Sequence, residues 1–197
     1  MIYYFSELIN LQIMNSISLD QLLEVEKNFF DTLQSYWREH NYLSFKWWIL
    51  VILSFFAPIV WWMIVDKKRI TEITSFGLFF GVAAILLDSI GSTAMLWTYP
   101  VRLTPYLYPQ YYPYDVGIVI VPFMYVYQKW GNNFKKFVLF AALQSAVLAF
   151  IAEPLMEWLK IYKELTWKSM FSFPIYWFLA IICCLIITRF KKLEQRP

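Results

Sequence analysis

The sequence predicts an all-α integral membrane protein, a bundle of five transmembrane helices preceded by an amphipathic N-terminal helix. Of its 197 residues, 60% are hydrophobic and only 16% are charged, and the mean hydropathy is +0.49. A soluble domain of this length carries more charge. Five apolar runs also approach the length of about 20 residues that a membrane helix needs. Finally, ten tryptophans and fourteen tyrosines supply the amphipathic rings that suit the lipid headgroup level.

The N-terminal arm, residues 1–45, is predicted to hold the amphipathic helix. Ser18 and Gln21 form an S-x-x-Q capping box, a pattern that marks a helix start. Apolar residues from Leu19 to Trp37 then recur at helical spacing between charged ones. Such a helix lies on the membrane surface or packs against the bundle, and a plain soluble cap is the other interpretation. The arm lacks the basic region and cleavage site of a signal peptide.

The transmembrane domain, residues 46–190, is predicted to contain five spans, and residues 191–197 form a basic cytoplasmic tail. The third span is the shortest, so it would tilt or thin the bilayer locally. The predicted spans are Trp47–Val65, Thr74–Trp97, Asp115–Trp130, Lys136–Leu159 and Met170–Arg189.

Lysine and arginine counts predict the orientation, because cytoplasmic loops carry the excess. The "DKKR" segment at 66–69 has three basic residues, the region 129–136 has three, and the C-terminal "RFKKLEQR" has four. With five spans, all three regions fall on one side. The prediction is therefore a bacterial plasma-membrane protein with its C-terminus in the cytoplasm and its N-terminus outside.

Three acidic residues fall where lipid would otherwise surround them. Asp88 lies within the second predicted span, Glu153 lies within the fourth, and Asp115 begins the third. A charge at the bilayer centre costs about 2.5–3.5 kcal/mol even on insertion scales, so such residues face protein or water. Asp88 precedes Trp97 by nine residues, or about 13 Å along a helix. All three acids are thus predicted to lie in the outer half of the membrane.

Small residues predict which way two of these acids face. Each acid lies on a helical stripe of small side chains, and such stripes let membrane helices approach closely. Asp88 and Glu153 should therefore point into the bundle. Two close carboxylates in a site of low dielectric constant resist double ionisation. They would need an arginine, a bound cation or a shared proton. The stripes are Gly77, Gly81, Ala84, Asp88, Ser92 and Ala142, Ser145, Ala149, Glu153.

The segment from Trp97 to Asp115 is predicted to lie across the outer mouth of this site. Its four prolines exclude a regular helix and keep the chain stiff and extended. Its six tyrosines form either an interfacial aromatic belt or a lid. In the lid interpretation, Tyr99 and Tyr114 donate hydrogen bonds. Arg102 then pairs with an acid below it or with an anionic headgroup, and Asp115 and Arg102 gate the pocket.

Prolines also interrupt predicted spans. Pro58 and Pro122 lie in the first and third, and Pro154 directly follows Glu153. A proline frees a carbonyl one turn earlier and can kink a helix, which predicts an unpartnered Phe150 carbonyl beside Glu153. Packing alone also explains prolines at these positions.

The residue inventory disfavours several kinds of chemistry. His40 is the single histidine and lies outside the spans, so a histidine-based zinc site or catalytic triad is not expected. No Gly-rich phosphate loop is present, and neither a cofactor nor a metal site is predicted. Cys183 and Cys184 are adjacent in an apolar run and suit packing. The basic clusters flank apolar runs, which indicates orientation signals and no nucleic-acid partner.

Several segments resemble a family of small, uncharacterised multi-pass membrane proteins of spore-forming Gram-positive bacteria. They span residues from about Trp37 to Arg189 and include "LLDSIGSTAMLWTYPVRLTP", "VPFMYVYQKW", "FIAEPLMEW" and "WKSMFSFPIYW". The resemblance implies location and architecture, and no activity. A weaker likeness is to the lycopene cyclase domain, through Asp88 followed by the W-x-Y of Trp97 to Tyr99, although the chain has no clear P-x-E-E element.

The sequence favours a protein with an acidic polar pocket that binds a lipid headgroup, a small amphiphile or a cation, in a sensor or assembly role. A second hypothesis is an intramembrane enzyme that acts on a polyisoprenoid or lipid by general-acid chemistry. A third is a structural membrane subunit. The expected partners are membrane lipids, and the pattern allows a homo-oligomer. The pocket residues are predicted to be Asp88, Glu153, Asp115, Arg102, Tyr99 and Tyr114; no catalytic residue is assigned.

Overall fold

A computed structural model of the chain describes residues 17–108 and 112–194. The predictions for residues 1–16, for the loop residues 109–111 and for 195–197 therefore lie outside the described residues. The described chain is mostly helical, as expected for an all-α bundle. Its elements are α1 (Leu19–His40), α2 (Phe45–Ile64), a 3₁₀ turn (Lys67–Arg69), α3 (Ile70–Thr93), β1 (Trp97–Thr98), a π-helical stretch (Tyr114–Ile120), α4 (Val121–Trp130), α5 (Phe134–Val147), a second π-helical stretch (Leu148–Ala152), α6 (Glu153–Trp158), β2 (Lys163–Glu164) and α7 (Ser169–Glu194).

Four helical segments of the described chain are long and apolar enough to cross a membrane. The predicted third span, Asp115–Trp130, is not one of them. It corresponds to a π-helical stretch of seven residues followed by the ten residues of α4. The four segments are Phe45–Ile64, Lys67–Thr93, Phe134–Trp158 and Ser169–Glu194.

Helix α1 begins as its sequence predicts. Gln21 N–H donates to Ser18 Oγ at 3.2 Å, and Ser18 N–H donates to Gln21 Oε1 at 2.9 Å, so both bonds of the capping box form. Leu33 is the buried residue of this helix. Trp37 Nε1 donates to the carbonyl of Arg102 at 2.9 Å. Helix α1 therefore packs against the loop that follows β1.

The main core lies between α3, α4, α5 and α7. The rings of Phe76 and Tyr127 stack at 4.4 Å, and Phe80 packs on Phe123 at 4.5 Å. Gly77 and Gly81 allow this approach. A Cβ on Gly77 would lie 2.6 Å from Met124 Sδ, and one on Gly81 would lie 2.6 Å from Ile120. Gly77 therefore packs against α4 and Gly81 against the π-helical stretch before it, and small residues are typical of such close contacts between membrane helices.

The bundle has two ends of different character. At one end, which we call the capped end, β1 pairs with β2 in an antiparallel ladder, Trp97 opposite Glu164 and Thr98 opposite Lys163. This ladder joins the loop after α3 to the loop after α6. At the other end, the clasp end, Glu72 of α3 binds Arg69 and Lys191.

Two prolines follow the π-helical stretches. Pro122 follows the first stretch by two residues, and Pro154 follows the second by two. Each proline removes a backbone donor, and the preceding turn widens. Glu153 N–H, for example, donates to the carbonyl of Leu148, five residues back. Such π-helical turns are frequent at functional sites, and Asp115 and Glu153 each lie in or beside one.

Candidate functional site

A cavity of about 230 Å³ lies near the capped end, between α3, the two π-helical stretches, α6 and α7. Asp88, Asp115 and Glu153 all line it, as do Tyr99 and Tyr114. The structure thus brings together five of the six predicted pocket residues. Most other lining side chains are aliphatic or aromatic. The cavity is therefore an apolar space with three carboxyl groups in its wall.

Helix α3 positions Asp88 through the buried stripe that the sequence predicts. Gly77, Gly81, Ala84, Asp88 and Ser92 are all buried. In the fourth predicted span, Ser145 and Ala149 are buried, whereas Ala142 and Glu153 are half-buried. The π-helical stretch between Ala149 and Glu153 shifts the helix face by part of a turn, which explains why the second stripe is less regular.

Two aromatic donors from the β1 region hold one oxygen of Asp88. Trp97 Nε1 donates to Asp88 Oδ1 at 2.8 Å, and Tyr99 Oη donates to the same oxygen at 2.6 Å. Gly91 makes the first bond possible, since a Cβ there would lie 2.0 Å from Trp97 Cη2. Burial raises the pKa of the Tyr99 hydroxyl well above its usual value, and the charges of Asp115 and Asp88 add to the shift. Tyr99 therefore remains a donor.

The second oxygen of Asp88 has a different environment. Asp88 Oδ2 and Asp115 Oδ2 are both buried, and neither has a hydrogen-bond partner among the described residues. Only 7% of Asp88 and 6% of Asp115 is exposed. An unpartnered buried polar atom costs about 1–3 kcal/mol, and more if it is charged. Both oxygens therefore have unused acceptor capacity at the cavity wall.

Glu153 is held by the last helix. Ser172 Oγ donates to Glu153 Oε2 at 3.0 Å, and Tyr176 Oη donates to Oε1 at 3.0 Å. Trp167 Nε1 donates in turn to Ser172 Oγ at 3.0 Å. Both oxygens of Glu153 are thus hydrogen-bonded, although by neutral donors.

Arg102 does not line the cavity. It is only 4% exposed, and its guanidinium lies 4.7 Å from the ring centre of Tyr108. In the described part of the chain it forms no ion pair, so the predicted pairing with a cavity acid is not observed there. Burial lowers the pKa of its guanidinium. Its backbone is fixed by Trp37 and Asn41 of the arm.

Tyr114 contributes a ring to the cavity and directs its hydroxyl elsewhere. Its Oη donates to the carbonyl of Val101 at 3.4 Å, and its ring stacks on Tyr99 at 5.0 Å. The expected hydrogen bond from Tyr114 into the pocket is therefore replaced by a bond to the covering loop. Tyr99 alone of the two donates to an acid.

The sequence interpretation missed several lining residues. Ser172 and Tyr176 lie one helical turn apart in an otherwise apolar predicted span, and that polar pair was a usable signal. Trp97 in β1 and Tyr162 and Trp167 in loops are single aromatic residues, and their inward direction depends on the β1–β2 ladder. No local pattern predicts that ladder, since each strand has two residues.

No family model, no curated protein and no solved structure matches this chain significantly. The two resemblances drawn from sequence segments therefore stay predictions, and the site has to be interpreted from its own chemistry.

Proposed function

We propose that the protein crosses the membrane five times. Support comes from the Tyr114–Trp130 segment, which reaches both ends of the bundle. The Tyr114–Trp130 segment begins beside Val101 at the capped end, and Gln128 reaches Asp66 N–H and the Ile64 carbonyl at the clasp end. Its seventeen residues extend about 25 Å at helical rise. Tilt or local thinning accommodates a span of that length.

The clasp end faces the cytoplasm in this proposal. Lys191 lies there, beside the basic residues of 66–69 and 129–136, as the positive-inside rule requires. The capped end, the cavity and α1 then lie on the outer side of a bacterial plasma membrane. A reporter fused after residue 194 should show its activity on the cytoplasmic side of the membrane. Activity on the outer side would contradict this orientation.

Within this arrangement, the cavity binds a small amphiphile that carries an organic cation. The observation behind this assignment is the pair of buried, unpartnered oxygens, Asp88 Oδ2 and Asp115 Oδ2, on the wall of one apolar cavity. An ammonium group supplies the missing charge, and an alkyl chain suits the aliphatic wall. The aromatic lining favours such a cation through cation–π contacts. Those rings belong to Trp97, Tyr99, Tyr114, Tyr162, Trp167 and Tyr176.

A metal ion fits this donor set less well. No group of three or more His, Cys, Asp or Glu side chains in the described chain is arranged to hold one. A hard cation also prefers six or more oxygen ligands, whereas Glu153 already accepts two hydrogen bonds from α7. An ammonium group needs fewer oxygens and uses the rings.

A binding experiment with matched probes tests the assignment. Purified protein in neutral detergent is titrated with short-chain alkyl trimethylammonium, with the uncharged alcohol and with the sulfonate of the same chain. We expect the ammonium probe alone to bind. The double variant Asp88→Asn, Asp115→Asn should bind it at least about tenfold more weakly, since the attraction between the carboxylates and the quaternary ammonium is lost.

Asp66→Asn is the matched control. Asp66 is exposed at the clasp end, where it caps the turn at Lys67–Arg69, and asparagine can cap as well. The affinity of the Asp66→Asn variant for the ammonium probe should equal that of the wild type. Equal binding of all three probes, or unchanged binding by the double variant, contradicts the proposed function.

General-acid catalysis on a polyisoprenoid is the second candidate. The observation that favours it is the apolar and aromatic wall that surrounds the acids, because a protonated carboxyl in such a site can donate a proton to an olefin. It predicts product formation from an isoprenoid substrate and loss of turnover in Glu153→Gln or Asp88→Asn. The binding proposal predicts no turnover by the wild-type protein or by either variant.

A further inference from the structure

A second open groove, of about 760 Å³, lies on the outer flank of the capped end. The end of α1 and the start of α2 form one wall, and the loop after α6 forms the other. Tyr162 is the residue that it shares with the acidic cavity. The groove therefore has its own chemistry, independent of the three acids.

The charge of this groove is opposite to that of the cavity. Lys46, Lys160 and Lys163 line it, against the single carboxylate of Glu157. Among the described residues, none of these lysines forms an ion pair. Three unpaired ammonium groups around one concave surface indicate an anionic ligand.

The backbone around the groove fixes the positions of the three lysines. Lys163 lies in β2, opposite Thr98 in the ladder. Lys160 has a φ of 55°, a left-handed conformation that is uncommon for a residue other than glycine. Lys46 lies in the first turn of the twenty-residue helix α2, where the helix dipole adds positive potential. All three thus project from ordered backbone.

The level of the groove in the membrane indicates where the anion comes from. Phe45 lines the groove and is 81% exposed, and Trp48 beside it is 48% exposed. Exposed aromatic rings at the start of a span lie at the lipid headgroup level. Lysines snorkel to the same level.

We propose that this groove binds the phosphate of an anionic phospholipid headgroup, with Lys46, Lys160 and Lys163 as its ligands. The phosphate lies near the first turn of α2, and the acyl chains run down the apolar surface of that helix. Such a lipid would hold the arm, α2 and the α6 loop together.

The test uses delipidated protein in neutral detergent and three soluble probes: dihexanoyl-phosphatidylglycerol, dihexanoyl-phosphatidylcholine and inorganic phosphate. Bound probe is counted by native mass spectrometry. We expect the phosphatidylglycerol to bind most tightly. The triple variant Lys46→Gln, Lys160→Gln, Lys163→Gln should weaken its binding at least about tenfold, and the triple Lys→Arg variant should retain it.

The control removes the same charge from the same side of the protein. Lys27, Arg38 and Lys168 are exposed and do not line the groove, so their replacement by glutamine should change affinity less than twofold. Equal losses in both triple variants would show general surface attraction and overturn the site. Equal binding of phosphatidylcholine would overturn its anionic specificity, and equal binding of inorganic phosphate would overturn its lipid source.

Discussion

Two acidic sites at opposite ends of the bundle show what environment does to a carboxylate. At the clasp end, Glu72 Oε1 accepts hydrogen bonds from Tyr127 at 2.7 Å and from Lys191 at 2.9 Å. Arg69 donates to both of its oxygens, at 2.9 and 3.0 Å. At the capped end, Asp88 and Asp115 each keep one buried oxygen without a partner.

The two sites differ in the source of the positive charge that balances the carboxylate. The positive charges that balance Glu72 come from side chains of the protein itself. Through its partners, Glu72 connects α3, α4 and α7. The cavity acids have no cation within the described chain that pairs with them, so their charge has to be balanced by a proton or a ligand. An acid's sequence position does not distinguish these cases, but its partners do.

The largest effect is expected from breaking the clasp. Glu72→Gln leaves Arg69 and Lys191 without their anion, so the free energy of unfolding should fall by about 2–3 kcal/mol, as for other partly buried ion pairs that lose one member. Thermal unfolding in detergent measures this. Asp88→Asn should stay within about 0.5 kcal/mol of the wild type, because asparagine still accepts from Trp97 and Tyr99 and removes an unpaired charge. Equal losses of stability in Glu72→Gln and Asp88→Asn would contradict the distinction between the two acidic sites.

A steric change tests how the cavity wall is built. Gly91→Ala places a Cβ against the Trp97 ring, which has to move and give up its bond to Asp88. We expect a loss of about 1–3 kcal/mol in stability, typical of overpacking. Leu86→Ala is the control, because Leu86 is 58% exposed and does not line the cavity. If Gly91→Ala is as stable as the wild type, Trp97 does not occupy this position.

Whether a feature of the structure can be predicted from the sequence depends on how far apart in the chain the interacting residues lie. Four of the five predicted spans, the capping box and the buried α3 stripe follow from local periodicity, and the stripe predicts which way Asp88 faces. The partners of Glu72 lie 55 and 119 positions away in the sequence. No spacing rule predicts such pairs, so the sequence does not single out Glu72. The directions of the Tyr114 hydroxyl and the Arg102 guanidinium differ from the sequence prediction for a related reason. The tertiary path of the loop decides where these two side chains point.

A double-mutant cycle sharpens the description of Asp88. Tyr99→Phe removes one donor to Oδ1, and stability should fall by about 1.5–3 kcal/mol if that oxygen is charged. In an Asp88→Asn background the same change should cost about 1 kcal/mol or less, because the acceptor is neutral. Thermal unfolding of the four proteins gives the coupling. Equal costs in both backgrounds would indicate that Asp88 is already neutral.

A smaller loss than that from breaking the clasp is expected at Glu153. Ser172→Ala removes one of its two neutral donors and should cost about 0.5–1.5 kcal/mol. Met170→Ala serves as a neighbouring control, since Met170 is 58% exposed and does not line the cavity. A loss as large as that of Glu72→Gln would place Glu153 among the structural acids.

The most direct test of the central claim is an experimental structure of the protein with a short-chain alkyl trimethylammonium. The account predicts density for the ammonium group in the cavity, within ion-pairing distance of Asp88 Oδ2 and Asp115 Oδ2. An empty cavity at saturating probe, or an ammonium group bound away from both oxygens, would contradict it.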